Sequence, residues 1–248
     1  MRPSLVAANW KMNGSNQFVT EYAAAFDPAV DASRVDVVIF PPTVYLASWL
    51  AAAPQIACGV QDVGIAASGA HTGELAAEMV RDVGGRWAIV GHSERRIDQQ
   101  ERDDLVATKA AAAMRGGLRP IVCVGETLAE REAGHEIAVV ERQLEAVLDR
   151  VDLASLSAGA IAYEPVWAIG TGETATPEQA QDMHAFLRDK VADVDSGAAQ
   201  QIRIIYGGSV NPENAGELFA KEDIDGGLVG GAGLDPVKFA AVVAAAAK

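Results

Sequence analysis

Eight short runs of apolar, largely β-branched residues recur along this chain of 248 residues, and segments with helical periodicity separate them. Continuous apolar runs are typical of strands that are buried on both faces, as in parallel sheets. Strands that alternate with helices predict βα units, and eight such units in about 250 residues fit a closed (β/α)8 barrel of the α/β class. The predicted strands cover residues 5–8, 35–40, 56–60, 87–90, 121–124, 160–163, 202–206 and 228–229.

The helix starts are marked by capping residues followed by proline. Residues 176–179 (Thr-Pro-Glu-Gln) form a capping box with proline at the first helical position. The pairs Asn211-Pro212 and Asp235-Pro236 repeat this device. An open doubly wound sheet is the alternative architecture, but no Gly-x-Gly-x-x-Gly turn follows the first strand. Since no linker or low-complexity tract interrupts the pattern, we expect one domain spanning residues 1–248.

The charge and composition of the chain argue against nucleic-acid binding, membrane insertion and secretion. The formal net charge of −14 argues against nucleic acid, because such partners require a basic face. No apolar stretch approaches the ~20 residues that span a bilayer, and the first residues lack the apolar core of a signal peptide. Both Cys58 and Cys123 lie within strand-like runs. We therefore expect buried, reduced thiols and a cytoplasmic protein.

Polar and glycine residues cluster where the predicted strands end. The first strand leads into residues 9–11 (Asn-Trp-Lys), the fourth into 91–96 (Gly-His-Ser-Glu-Arg-Arg) and the sixth into Glu164. Glycine turns follow the seventh strand, at 207–209 (Gly-Gly-Ser), and the eighth, at 230–231. Because the carboxyl ends of barrel strands share one face, we expect a cation, an imidazole and a carboxylate to surround one pocket there.

The carboxylate at the end of the sixth strand has the context of a general base. Glu164 ends an apolar run, Pro165 stops the strand, and an apolar, glycine-rich segment follows to about residue 175. Such a segment predicts a movable lid that excludes water from the chemistry. The rival carboxylate, Glu126, has no such segment after it. For Glu126 we predict a structural ion pair. Of the other titratable candidates, His184 lies within helical periodicity and is predicted to be a core residue, whereas His135 is predicted to be exposed.

Five motifs together resemble the triosephosphate isomerase family. They occupy residues 9–11, 91–96, 163–172, 206–209 and 228–231, in the order and at the spacing of that family. The resemblance implies a TIM barrel that interconverts dihydroxyacetone phosphate and D-glyceraldehyde 3-phosphate by proton transfer through an enediolate, without a cofactor or a metal. Two alternative functions are disfavoured. A Schiff-base aldolase on the same barrel would need its lysine deep in a later strand, whereas Lys11 lies at the end of the first. A non-catalytic relative should have lost Glu164, His92 or Lys11, and all three are present.

Carried over onto this sequence, the resemblance gives each catalytic residue a role. Glu164 is the base that moves the proton between the two carbons, and Lys11 is the cation that stabilises the enediolate and attracts the phosphate. The resemblance implies that His92 is a neutral electrophile that donates a hydrogen bond to the carbonyl oxygen. Asn9 orients Lys11. The phosphate is expected on Asn9, Lys11, Gly170, Ser209, Gly230 and Gly231.

The same resemblance implies a supporting shell and a lid, made of Ser93, Glu94, Pro165, Trp167, Ile169 and Leu228. Glu94 is expected to contact Lys11 or the neighbouring subunit, and an ion pair with Arg95 or Arg96 is its alternative. Ile169 and Leu228 are expected to desolvate Glu164 when the lid closes. At the second hinge, Glu173 stands where the family most often has a basic residue, so we expect altered lid opening.

A homodimer is implied by the segment that follows the third strand. The loop from Gly69 to Glu74 resembles the one by which subunits of this family interlock, with Thr72 reaching the partner's active site near Asn9 and His92. A plain surface loop is the alternative, and composition does not separate the two.

Overall fold

The computed structural model describes residues 2–27, 34–169 and 174–247. Eight parallel strands pair in chain order and close into a barrel, which confirms the predicted (β/α)8 fold. All eight predicted strands are present, with bounds that shift by two residues or fewer. They are β1 (Ser4–Asn9), β2 (Val35–Phe40), β3 (Ala57–Val60), β4 (Trp87–Val90), β5 (Arg119–Val124), β6 (Ala160–Tyr163), β7 (Arg203–Tyr206) and β8 (Gly226–Val229).

Helices connect successive strands around the outside of the barrel. Within the described ranges they are α1 (Asn16–Ala25), α2 (Leu46–Ala52), α3 (Ala77–Asp82), α4 (Ser93–Asp98), α5 (Asp103–Arg115), α6 (Leu128–Glu132), α7 (Glu136–Leu148), α8 (Leu153–Leu156), α9 (Pro177–Val194), α10 (Ser196–Gln201), α11 (Ala215–Phe219) and α12 (Pro236–Ala245). In this described part of the chain, no helix has the length and apolarity of a membrane span.

The predicted helix caps are present, with one shift in position. Thr176 and Gln179 form the reciprocal capping box of α9, and Asp235 accepts two backbone N–H groups at the start of α12. The start predicted at Asn211 is wrong. There Asn211 Oδ1 accepts the N–H groups of Glu213 and Asn214, at 3.0 Å each, and so stabilises a turn. The regular helix α11 begins only at Ala215.

The strands bury two separate apolar clusters, one on each face. The inner cluster fills the barrel with Leu5, Ala7, Val38, Phe40, Trp87, Ile89, Ile121, Cys123, Ala160, Ala162, Ile205 and Leu228. The opposite faces pack against the helices in the larger cluster, which includes Cys58. Both cysteines are buried and free, as predicted. Burial raises the pKa of the Cys58 thiol to about 12, so this group stays protonated.

His184 is the core residue that its helical context predicts, and His135 is exposed. The His184 side chain has no exposed surface, and its ring lies edge-on to Tyr163 with centroids 5.9 Å apart. Its Nδ1 lies 3.2 Å from the carbonyl oxygen of Asp223. Burial lowers the pKa of His184 from 6.5 to about 4.

This depressed pKa predicts a loss of stability in mild acid. The unfolded chain binds a proton at His184 below about pH 6.5, while the folded chain resists it down to about pH 4, so acid favours unfolding in this window. Through this residue we expect the free energy of unfolding to fall by about 2 kcal/mol between about pH 7 and pH 5. Urea denaturation of the His184→Asn variant should show a fall smaller by that amount. The matched variant His135→Asn should keep the whole fall, and an equal fall in all three proteins contradicts the prediction.

Candidate active site

Lys11 leaves the end of β1 in a strained conformation that its neighbours hold in place. Its φ of +50° lies in the left-handed region, which is unfavourable for a residue with a Cβ. The Lys11 N–H donates to Asn9 Oδ1 at 3.0 Å, and Gln61 Nε2 donates to the Lys11 carbonyl at 2.8 Å and to that of Phe40 at 2.9 Å. Backbone strain persists where the surroundings over-determine it, and it often marks functional positions.

The Lys11 ammonium is paired with Glu94 at the edge of the pocket. Its Nζ lies 2.6 Å from Glu94 Oε1, and the two side chains are 29% and 49% exposed. Of the partners within one chain considered for Glu94, Lys11 is the one that pairs with it, whereas Arg95 pairs with Asp62 and Glu101 and Arg96 pairs with Asp103. A partly solvated ion pair contributes little stability. The ammonium can therefore exchange Glu94 for an anionic ligand at small cost.

His92 and Glu164 meet inside the barrel mouth, where both are buried. His92 Nε2 lies 3.1 Å from Glu164 Oε1, and Glu164 Oε2 accepts the Ser93 N–H at 2.8 Å. On the other side of the ring, Nδ1 accepts the Glu94 N–H at 3.3 Å, at the start of α4. Because Nδ1 accepts a hydrogen bond there, Nε2 is the ring nitrogen that can carry an N–H and donate a hydrogen bond to Glu164 Oε1. The Nε2 edge of His92 and the Glu164 carboxylate therefore face each other inside the barrel mouth.

Two glycines make room for Glu164. A Cβ on Gly125 would lie 1.8 Å from the Glu164 carbonyl oxygen, and one on Gly207 would lie 2.8 Å from Glu164 Cγ. Side chains at either position would displace the carboxylate. The absence of side chains at these two glycines, which follow β5 and β7, therefore allows Glu164 to occupy its position.

The rival carboxylate, Glu126, is held by three donors beneath the lid segment. Its side chain is fully buried, and Oε1 accepts from Arg131 Nη1 at 3.1 Å, Tyr163 OH at 3.1 Å and Trp167 Nε1 at 2.8 Å. The predicted structural ion pair is confirmed. Sequence reasoning missed the bond from Trp167, which anchors the first turn of the lid segment (Val166–Ala168) to the end of β5. This bond could have been anticipated from the predicted barrel, because Glu126 and Trp167 follow two strands, β5 and β6, that are neighbours in it.

One pocket of about 550 Å³ contains most of the predicted site residues. It is lined by Asn9, Lys11, His92, Glu164, Ile169, Ser209, Leu228, Gly230 and Gly231. The pocket is also lined by Asn13, Val210, Glu213, Asp235 and Lys238, which the sequence did not assign to the site. Gly170 and Glu173 lie outside the described residues. In the ranges that are described, no group of three His, Cys, Asp or Glu side chains is arranged to hold a metal ion.

The end of the pocket beside Lys11 is formed by backbone. A Cβ on Gly230 would point at the Lys11 side chain, 3.7 Å from Cε, and a Cβ on Gly231 would meet nothing within 4 Å. Gly231 also begins a 3-10 turn, Gly231–Leu234. The first N–H groups of such a turn have no partner within it, and glycine lets a ligand approach them closely. This end can therefore accept an anion next to the ammonium.

A second pocket of about 520 Å³ opens on the other side of the same residues. Asn9, Lys11 and His92 line both pockets, while Gln61 and Glu94 line only the second. Its rim includes part of the loop from Gly69 to Glu74, and the adjacent Met12 side chain is 97% exposed.

Comparison with known proteins identifies the family of this chain. The family model described as triosephosphate isomerase matches residues 4–246. The chain is 51% identical over 249 residues to proteins named triosephosphate isomerase from Xanthomonas oryzae pv. oryzae (strain PXO99A), Xanthomonas campestris pv. campestris (strain 8004) and Stenotrophomonas maltophilia (strain K279a). In each case the match covers 100% of this chain and 99% of the relative. The chain therefore belongs to the triosephosphate isomerase family.

Proposed function

We propose that this protein interconverts dihydroxyacetone phosphate and D-glyceraldehyde 3-phosphate. The observation that carries the proposal is the buried contact of 3.1 Å between Glu164 Oε1 and His92 Nε2, with Lys11 lining the same pocket. A base, a neutral hydrogen-bond donor and a fixed cation together can catalyse an aldose–ketose proton transfer.

In the proposed reaction, Glu164 removes a proton from the carbon next to the carbonyl. The electron pair moves onto the carbonyl oxygen, where His92 Nε2–H and the Lys11 ammonium stabilise the enediolate. His92 then moves a proton between the two oxygens, and protonated Glu164 returns its proton to the neighbouring carbon. Atoms and charge balance without an oxidant, a reductant or a second substrate.

We propose that Glu164 changes its hydrogen bonds when the substrate binds. Both of its oxygens are engaged, one with His92 Nε2 and one with the Ser93 N–H. Each carboxylate oxygen keeps a second lone pair, but we propose that Glu164 gives up at least one of these bonds as it turns toward the carbon-bound proton of the substrate. Ile169 and Leu228 line the pocket beside it. We propose that closing of the lid segment over the substrate drives this movement and excludes water.

The phosphate binds, in this proposal, at the backbone end of the pocket. A chain with a net charge of −14 repels an anionic substrate at long range, so local groups must compensate. Lys11 and the N–H groups around Ser209, Gly230 and Gly231, which line the pocket, are proposed to do so. Gly170 is proposed to add one further N–H from the lid.

We further propose that the active species is a homodimer in the cytoplasm. The second pocket reaches Asn9, Lys11 and His92 from the side and has part of the loop from Gly69 to Glu74 on its rim. Thr72 of a second copy is proposed to enter it. The exposed Met12 would be covered in the same interface.

A coupled assay tests the function and the assembly in one sample. Glyceraldehyde 3-phosphate given to the purified protein should yield dihydroxyacetone phosphate, detected by NADH oxidation with a glycerol phosphate dehydrogenase, and added EDTA should not change the rate. Light scattering on that sample should give twice the chain mass of 25.9 kDa. Absence of turnover contradicts the function, and full activity at the mass of one chain contradicts the dimer.

A further inference from the structure

We propose that Arg96 is a positioning residue that holds His92 in register with Glu164. Its guanidinium continues the hydrogen bonding between β4 and β5 beyond the point where the strand ladder ends. The inference rests on the proposed function, since it concerns the same pair of residues, but Arg96 itself does not line the substrate pocket.

The ladder between β4 and β5 stops one residue before the chain turns toward His92. The last pair in register is Val90 with Val122, so the next would be Gly91 with Cys123. Arg96 donates to the carbonyls of these two residues, from Nε to Gly91 at 2.9 Å and from Nη2 to Cys123 at 3.1 Å. One side chain therefore bridges the two strand ends where backbone pairing has ceased.

The turn that Arg96 secures leads directly into the catalytic histidine. Gly91 has a φ of +70°, and a Cβ there would lie 2.5 Å from Val106 Cγ1. The Gly91 carbonyl belongs to the peptide that carries the His92 nitrogen. Fixing that oxygen fixes the peptide plane, and with it the direction in which His92 leaves the strand.

The guanidinium is itself oriented by an ion pair. Its third nitrogen, Nη1, lies 2.7 Å from Asp103 Oδ1, and Asp103 Oδ2 accepts from Arg142 Nε at 2.8 Å. The Arg96 side chain is 14% exposed, whereas that of Arg142 is 60% exposed. All three guanidinium nitrogens of Arg96 are thus engaged in a planar fork that a lysine cannot reproduce.

The same contact connects His92 to the strand that aligns Glu164. One residue after Cys123, the Val124 carbonyl accepts the Glu164 N–H at 2.8 Å. Arg96 thereby ties the His92 turn to β5, and β5 is paired with β6, whose last residue, Tyr163, directly precedes Glu164. Because misplacement of a catalytic group by about 1 Å can cost about 100-fold in rate, loss of this bridge should affect the chemical step.

The test compares Arg96→Lys and Arg96→Gln with the matched control Arg142→Gln, which touches Asp103 but neither carbonyl. We expect the Arg96 variants to lower kcat about 10- to 100-fold with KM within about threefold, measured well below the unfolding midpoint. In 15N-histidine NMR, the His92 Nε2–H signal should shift or broaden. The chain has four histidines, so loss of one signal in His92→Asn assigns it. Arg142→Gln should leave kcat and the signal unchanged.

Two results overturn the inference. One is a kcat within about twofold of the parent in both Arg96 variants, and the other is a lower kcat with an unchanged His92 signal. If both variants fail to fold, Asp103→Asn decides, since it retains Arg96 but removes its orienting charge. It should then give a smaller change of the same kind, and no change overturns the inference. Absence of turnover in the parent protein contradicts the proposed function alone, because the NMR comparison still tests the positioning.

Discussion

The Glu164→Gln variant is expected to fold as the parent protein does and to lose at least about 10³-fold in kcat. Glutamine keeps the shape of the side chain between Gly125 and Gly207, and its amide can still accept the Ser93 N–H. What it lacks is a basic oxygen pair at the position of the carbon-bound proton. The loss should therefore appear in kcat, with an unfolding midpoint close to that of the parent, measured by the coupled assay and thermal denaturation.

The control for this prediction is Glu213→Gln. Glu213 lines the rim of the same pocket and is exposed, so its removal changes the local charge equally but deletes no group near His92. Its kcat should stay within about twofold of the parent. If Glu164→Gln retained a tenth or more of the activity, the proton would have to be removed by another group. Glu126 could not easily replace it, because its side chain is fully buried and does not line the pocket.

Local sequence patterns were enough to predict the strands. They were also enough to predict that the site lies at the carboxyl ends of those strands. Apolar runs bounded by polar or glycine residues mark buried parallel strands whatever their neighbours are. Since the carboxyl ends of all strands in such a barrel share one face, the residues at those ends could be placed together without coordinates. The start of α11 could not be predicted in this way, because Asn211 stabilises a turn with the same hydrogen bonds that cap a helix.

The contacts that support the site depend on the register of the closed barrel. Gln61 bonds the Lys11 carbonyl across 50 positions of sequence, and Trp167 reaches Glu126 across 41. Several sequence partners compete for each of these polar groups, as they do for Glu94. The stagger between neighbouring strands determines which of these pairs forms. The hydrophobic pattern of the sequence does not determine that stagger.

The Lys11→Ala variant is expected to lower kcat by about 10²- to 10³-fold and to raise KM, while the fold is kept. The ammonium is proposed to stabilise the enediolate and to bind the phosphate, so both constants should suffer. Its ion pair with Glu94 is partly exposed, so loss of that pair should cost under about 1 kcal/mol of stability. Lys221→Ala is the matched control: Lys221 is also 29% exposed and pairs with Glu178 at 2.7 Å. It should retain full activity.

A third variant separates strain from catalysis at this position. At a φ of +50°, any residue with a Cβ is strained by about 1–2 kcal/mol, and glycine is not, although it loses about 0.5–1 kcal/mol through the flexibility of the unfolded chain. Lys11→Gly should therefore be at least as stable as Lys11→Ala in urea denaturation, yet equally inactive. An unfolded or fully active alanine variant would contradict the catalytic assignment. A lower free energy of unfolding for the glycine variant than for the alanine variant would contradict the proposed backbone strain, because removing the Cβ would then bring no gain in stability. A stable and inactive Lys11→Gly would mean that the strained backbone is retained for the ammonium that it carries.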